Sequence, residues 1–433
     1  MAGSVPDIPG VRAPARYAEG LRQDVARLLR RHNTSFPGAQ PVSFLKRHIA
    51  ENLEREDYFV CEKSDGIRCL MYLTREGDAE ATYLIDRKNN YYYVQGLHFP
   101  LQDDFQKFHV DCIVDGELVL DHEDDGREVL RYLVFDSLVI DGKLMTERTL
   151  DKRLGYFREL VYKPYDNLCK QFPDEVQFFP FLIDFKDMEF SYALPKLWND
   201  VIPRLKHGTD GLIFTSRLTP YVFGTDEKIL KWKPAEENSI DFRLTLHFPT
   251  YTDPDDPSIS YPDYDSQPTT MLSVYVESNV YKPYGELYLT PSEWQTLKSL
   301  NEPLDERIVE CVHDKTLNSW RYLRFRDDKL TPNHISIVEK IEMSVRDGVT
   351  KEELLNANTR IREAWKKRIA HEKERGRGPP PPPSSSSSHQ RDRKSLDDDV
   401  RRTRDRERES REAGAADEGH DLGRTGEKRK AND

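Results

Sequence analysis

The segment EKSDGIR, Glu62 to Arg68, places a lysine, an Asp-Gly turn and an arginine within six positions of one another. A lysine ammonium is a poor nucleophile at neutral pH. Partial burial and neighbouring cations lower its pKa, and the free amine then attacks phosphorus or carbonyl carbon. Asp65-Gly66 supplies the sharp turn that brings Arg68 back toward the cleft occupied by Lys63. Read alone, K-x-D-G also describes an exposed lysine before a hairpin, so the other charged strand ends matter. In DGELVLD, Glu117 can accept a ribose hydroxyl or hold a metal. In DGLIFT, Asp210 suits Mg²⁺, a hard cation that takes carboxylates together with substrate phosphates. Phe135 in LVFD can stack on a base. Lys231 and Lys233 in KWK share one face of a strand because side chains alternate, and two ammonium groups pointing the same way suit an anion between them. RFRDDK offers Arg324, Arg326, Asp328 and Lys329 as a second phosphate grip.

The elements that must position these groups are mostly strands. Residues 1–45 read as a loosely ordered lead-in. Period-2 apolar runs begin at YFVCEK and continue through RCLMYL, TYLIDR, YYYVQ, DCIVDGELVLD and RYLVFDSLVID. A helical interval follows from Thr149, where Leu150, Leu154, Phe157 and Leu160 or Val161 recur near the helical period. Strands resume at DGLIFT and KILKWK. After the turn at Pro234 to Asn238, five short strands with a helix-like segment from Ser292 to Leu300 suit a small closed β-barrel of the OB kind. Between the first two of these strands, YTDPDDPSISYPDYDSQP carries too much Pro and Asp to pair and reads as an acidic surface excursion. From His334, Ile335, Val338, Ile341 and Val345 share a helical face, and Thr350 to Glu374 repeats the pattern with more charge.

The fold class expected is therefore α+β, with a catalytic domain over 1–237 and a barrel domain over 238–345 whose end helix packs back on the first. A charged helical extension would follow over 346–378, and a Pro, Ser and mixed-charge tail over 379–433 reads as disordered. No repeat of 20 to 50 residues is present, which removes solenoids and propellers.

The chain has 433 residues and a formal charge of -12. The tail carries 13 basic and 13 acidic residues, so the whole excess falls on the first 378 positions. An acidic body opposes coating long nucleic acid, since each phosphate contact needs Lys or Arg; a local basic cleft is compatible with it. Five dispersed cysteines form neither a C-x-x-C zinc pair nor an even disulfide framework, which points to a reducing compartment. No apolar leader and no run approaching a membrane span is present, so the expectation is a soluble intracellular protein without membrane partners. Lys428 to Lys430 reads KRK, a short basic cluster of the kind that addresses proteins to the nucleus.

Taken together, the order and wording of these segments resemble the six signature motifs of the covalent nucleotidyltransferase superfamily, the messenger-RNA capping enzymes and ATP-dependent polynucleotide ligases. The resemblance spans roughly residues 40 to 345. PGAQPVSF, EKSDGIR, YLVFDSL, DGLIFT, LKWKPAEENSIDF and RFRDDKLTPNH are similar to the capping guanylyltransferase, in its separate fungal-type form. Ligases usually place Tyr or another bulky residue after the motif lysine, where this chain has Ser64.

The resemblance implies that Lys63 forms a covalent lysyl-GMP from GTP and that the GMP passes to a 5′-diphosphate RNA end. By the same carry-over Arg68 holds the ribose, Glu117 contacts ribose or metal, and Phe135 stacks on guanine. Asp210 helps place Mg²⁺ or Mn²⁺, Lys231 and Lys233 grip the α-phosphate, and Lys186 in IDFKDMEF reads guanine O6. Arg326, Asp328 and Lys329 orient the departing β and γ phosphates from the barrel. No matched catalytic position departs from the family pattern. The resemblance further implies a separate RNA 5′-triphosphatase subunit, since no segment is similar to a cysteine phosphatase, docking on the phosphorylated C-terminal repeat of RNA polymerase II, and a nuclear location. Two rivals stand beside it: a polynucleotide ligase that uses ATP, and a catalytically inert scaffold for polymerase and triphosphatase. Labelled ATP or GTP separates the first, and Lys63→Ala the second.

Overall fold

A computed structural model of the chain describes residues 6–374, apart from 235–237, 254, 257, 315 and the side chain of Ser344. The expected tail at 379–433, including the KRK cluster, lies outside the described residues. Two sheets build the first domain. In the larger, of eight strands, Ile67–Glu76 pairs antiparallel with Ala79–Ile85 on one side and Cys112–His122 on the other. Glu128–Ile140 extends it and takes Leu182–Phe185 as a parallel neighbour. In the smaller, of five strands, Tyr58–Ser64 pairs with Thr209–Ser216, which pairs with Gly224–Trp232, and Ala39–Ser43 lies parallel at the edge. Leu70 to Leu73 is buried residue by residue, because both faces of this central strand are covered.

Residues 1–45 are more ordered than expected. Ala15–Leu28 is a helix, and Ala39–Ser43 is the sheet-edge strand. Ala18, Leu21, Val25 and Leu28 recur every three or four positions and pack with Tyr72, Tyr83 and Ile85 of the large sheet. That spacing is itself a helical signal, and the Pro- and Arg-rich flanks obscured it. The interval after Thr149 is helical as expected, with Leu150–Phe157 and Lys163–Gln171 joined by a wider turn over Arg158–Tyr162.

The chain passes from the small sheet to a closed five-stranded barrel between Trp232 and Ser239. The strands around it are Ser239–His247, Thr269–Glu277, Val280–Tyr288, Ser319–Phe325 and Ile308–Asp314. Helix Pro291–Lys298 starts on a reciprocal cap: Thr290 accepts from the Glu293 amide while the Glu293 carboxylate accepts from the Thr290 amide. The α+β class with a terminal barrel is thus the architecture observed. The acidic excursion does pair, contrary to expectation: Thr250–Thr252 runs antiparallel to Ser260–Pro262. Asp253 and Asp256 make this possible by accepting from the amides of Asp255 and Ser258, which closes the intervening turns.

The helix that returns to the first domain is not the one expected. Ile335–Arg346 packs on the barrel, with Val338 fully buried in the barrel core. The returning element is Lys351–Glu374, read as a charged extension. Its Leu354, Ala357 and Ile361 form a narrow apolar stripe against Val60, Leu212, Phe214 and Trp232 of the small sheet. Trp232 Nε1 donates to the Val349 carbonyl at 2.7 Å and fixes the approach. A stripe three residues wide is enough to dock a helix whose other faces are charged.

Candidate active site

The cleft of about 1000 Å³ between the two sheets follows from where their strands end. Tyr58–Ser64 carries Lys63 to its floor. The turn after it must be tight: a Cβ on Gly66 would stand 2.2 Å from the Leu118 carbonyl oxygen. On the adjacent strand the register slips between Thr209 and Leu212. The irregularity re-aims Asp210, and Gly211 takes φ +151°, where a side chain would meet the Trp232 carbonyl at 2.1 Å. Lys63 Nζ donates to Asp210 Oδ1 at 2.6 Å, and Lys233 is paired with Asp210 Oδ2. Burial works to raise the Asp210 pKa, but the two ammonium groups outweigh it and hold the carboxyl below its usual range.

Lys231 and Lys233 both line the cleft, one strand step apart. Burial, and then repulsion from Lys233 and Lys63, lowers the Lys231 pKa. Three lysines therefore converge where only one carboxylate is shared between two of them, an arrangement that favours an anion with several charges.

The facing wall comes from the large sheet. Phe135 lies where the register of its strand slips between Val134 and Asp136. That bulge turns its ring into the cleft, and a buried bidentate pair anchors the next residue: Arg153 donates to Asp136 at 2.6 and 2.7 Å. Arg68 also lines the cleft, 5.4 Å from the Phe135 ring centre. Its guanidinium is committed to the wall: it donates to Asp115 at 3.0 and 2.6 Å and to the Ala39 carbonyl, while Tyr221 donates to the same Asp115. Glu117, on the same strand as Asp115, has no hydrogen-bond donor among the described residues. Burial raises its carboxyl pKa despite the attraction of Lys186 and Lys63. Glu117 and Asp210, both near Lys63, offer hard carboxylate oxygens of the kind a divalent cation takes.

Lys186 leaves the parallel strand Leu182–Phe185 and enters the cleft wall almost fully buried. It pairs with Glu62 at 2.6 Å and bonds the Ser64 hydroxyl. Burial disfavours its charge, yet the negative groups around it, Glu62 foremost and then Glu117, together prevail and raise its pKa.

Seven of the expected site residues therefore line one cleft: Lys63, Arg68, Glu117, Phe135, Lys186, Lys231 and Lys233. Asp210 joins them through its two ion pairs. The barrel residues do not line it. Arg326 donates to Asp328 at 2.8 Å through two nitrogens and to Asp241 at 3.2 Å, and Lys329 also pairs with Asp241. In this structure the grip is satisfied within its own domain. Residues that sequence reasoning passed over include Asp115, Asp241, Glu62 and Arg87. Arg87 lines the cleft, and its guanidinium has no hydrogen bond or ion pair among the described residues. It sits at the end of TYLIDR, a charged strand end like the others, and that was its available signal.

Comparison with known proteins adds to this geometry. The family model described as mRNA capping enzyme, catalytic domain, matches residues 4–235, and that described as mRNA capping enzyme, C-terminal domain, matches 237–355. The mRNA-capping enzyme subunit alpha of Neurospora crassa is 48% identical over 392 residues, covering 86% of this chain and 97% of its own. That of Schizosaccharomyces pombe is 48% identical over 363 residues, covering 83% and 88%. That of Saccharomyces cerevisiae is 36% identical over 405 residues, covering 84% and 88%. Among solved structures, a mycobacterial DNA ligase D complexed with ATP covers 68% of this chain and 95% of its own at 14% identity. Its TM-score is 0.33.

Proposed function

The chain belongs to the mRNA capping enzyme family, and from that premise we propose that it is the mRNA guanylyltransferase, which forms the cap by way of a covalent lysyl-GMP. The observation that carries this reading is the convergence of Lys63, Lys231 and Lys233 on one cleft floor opposite Phe135. GTP enters with its purine toward Phe135 and Lys186 and its phosphates toward the three lysines. The anionic phosphates compete with Asp210 for Lys63 and Lys233 and release the amine for attack.

Attack needs a deprotonated Nζ aligned opposite the bridging oxygen to the β-phosphate. A nitrogen–phosphorus bond forms, the oxygen–phosphorus bond to the β-phosphate breaks, and pyrophosphate departs. In the second step a β-phosphate oxygen of a 5′-diphosphate RNA attacks the same phosphorus. The nitrogen–phosphorus bond breaks and Lys63 is restored. Lys231 and Lys233 offset charge on the non-bridging oxygens in both steps. Asp210 and Glu117 would hold Mg²⁺ or Mn²⁺, whose chemistry here is Lewis-acid polarisation of phosphate oxygens. Arg326, Asp328 and Lys329 act on the departing phosphates only if the barrel approaches the cleft, so the first step requires closure and the second requires reopening.

The name subunit alpha carried by its relatives supports a heteromeric enzyme, and we infer that the partner subunit supplies the RNA 5′-triphosphatase. The phosphorylated C-terminal repeat of RNA polymerase II and a nuclear site of action complete the proposal. Among the described residues no helix is long and apolar enough to cross a membrane.

Incubation with α-labelled GTP or ATP and a divalent metal tests the function. Acid-labile, alkali-stable label from GTP, the behaviour of a phosphoramidate, located at Lys63 by mass spectrometry, is expected. Label from ATP alone would overturn the reading in favour of a ligase.

A further inference from the structure

Behind the nucleophile runs a second chain of polar side chains that the reaction steps above do not use. Glu62, immediately before Lys63, lies in strand Tyr58–Ser64, and His207, three residues before Asp210, lies in the loop that leads into its neighbour strand Thr209–Ser216. Glu62 Oε1 accepts from Lys186 at 2.6 Å and faces His207 Nε2 at 3.4 Å. His207 Nδ1 lies 2.7 Å from Asp121 Oδ1, and Arg131 pairs with the same Asp121 at 2.7 Å. The side chains of Lys186, Glu62 and His207 are all more than nine-tenths buried, at 3%, 3% and 8% exposure.

This burial decides how the chain must act. A buried ammonium points wherever its counter-charge stands, because leaving that partner means a lone charge in low dielectric. Lys186 is therefore aimed by Glu62. Glu62 is aimed in turn by Lys186 and His207, and its other oxygen, Oε2, is buried with no hydrogen-bond partner among the described residues. A carboxylate with one oxygen doubly engaged and the other unengaged is free to rotate unless its neighbours resist. His207 supplies the resistance, being braced by Asp121 at the far end. Both ring nitrogens face carboxylate oxygens, an arrangement that favours a charged ring donating at both ends. Burial opposes that charged ring, but the bonds to Asp121 and Glu62 prevail and raise its pKa.

We infer that Glu62 and His207 are positioning residues that set the direction of the Lys186 ammonium and thereby the enzyme's preference for a purine with an acceptor at position 6. The inference rests on the proposal that Lys186 faces the nucleobase. A lysine donor rewards the O6 of a guanine nucleotide and meets the N6 amino group of adenine as donor against donor. Discrimination then depends on the ammonium being held rather than on its presence. If Lys186 could swing, it would lose the penalty against adenine along with the reward for guanine.

The test uses the full-length chain and adduct formation with GTP and with ATP. Glu62→Gln keeps the size and removes the charge that aims Lys186. His207→Phe keeps the volume and removes both donors, while His207→Gln restores one donor. For Glu62→Gln and His207→Phe the expected result is a rise in KM for GTP of roughly tenfold, a smaller fall in the maximal rate, and a comparable loss of GTP-over-ATP preference. His207→Gln should recover most of that preference. Asp121→Asn, which loosens the brace from outside the cleft, serves if a cleft variant does not fold, and should shift preference in the same direction. Unchanged preference in well-folded Glu62→Gln and His207→Phe, judged by melting temperature, overturns the inference. A loss of stability without a change in preference does so as well, since that is what a merely structural network would give. Absence of any GMP adduct on the wild-type chain would instead strike at the proposed function, so the two failures are distinguishable.

Discussion

Lys63 and Asp210 are joined by a 2.6 Å hydrogen bond across two paired strands, and the other oxygen of Asp210 holds Lys233. One carboxylate thus parks two of the three lysines on the cleft floor. The pairing keeps like charges from repelling and leaves the nucleophile's direction set by a group that GTP can displace.

Removing that group has two consequences. Asp210→Asn leaves Lys63 and Lys233 without their shared counter-charge and takes away a charged metal donor. Adduct formation is expected to fall by roughly 100-fold, with tighter binding of a non-reactive anion such as pyrophosphate. Lys63→Ala should abolish the adduct while retaining GTP binding. Measuring labelling and pyrophosphate inhibition side by side checks both, and a fully active Asp210→Asn variant would remove Asp210 from the mechanism.

The lowered pKa of Lys231 predicts how the enzyme behaves in alkali. Burial, Lys233 and Lys63 all disfavour its charged form. As pH rises, Lys231 therefore loses its proton before an ordinary lysine does. Bound phosphates favour the ammonium, so KM for GTP should climb through that lowered pKa. The sign for stability is opposite: between the lowered value and about 10.4 the unfolded chain binds more protons, and this residue's contribution to stability increases with pH. Lys231→Arg, which stays charged, should move the rise in KM to higher pH.

Arg326 and Lys329 are both engaged with Asp241 inside the barrel. If their task is the departing pyrophosphate, Lys329→Ala slows adduct formation by about tenfold or more and leaves transfer from isolated lysyl-GMP to diphosphate RNA nearly intact. Rapid-quench measurement of the two half-reactions decides it. Equal losses in both would contradict the assignment.

Helix Lys351–Glu374 completes the core of the first domain rather than extending from it. Leu354→Ala opens a cavity beneath the small sheet and should cost about 2–5 kcal/mol. Differential scanning calorimetry with matched activity assays at low temperature will show lower thermal stability with near-normal chemistry. Deletion after Gly378, by contrast, should leave GMP transfer near normal.

Much of this protein could be read before any fold was known. The charged strand positions at Lys63, Glu117, Asp210 and Lys231 announce themselves because alternation and Asp-Gly turns are local properties, set by sterics within a few residues. The signal for the helix at Ala15–Leu28 is equally local, but its Pro- and Arg-rich flanks obscure it. The pairings were not local. Nothing near Arg68 in the chain says that Asp115 will take its guanidinium, nothing near Glu62 says that Lys186 and His207 will meet it, and nothing in the charged run after Thr350 says which sheet its stripe will cover. Sequence alone determined which groups this chain possesses and on which face of its strand each stands. Tertiary structure decided which charges are neutralised and which remain for a substrate, because Coulomb attraction and desolvation depend on distance and burial, which only the folded chain defines.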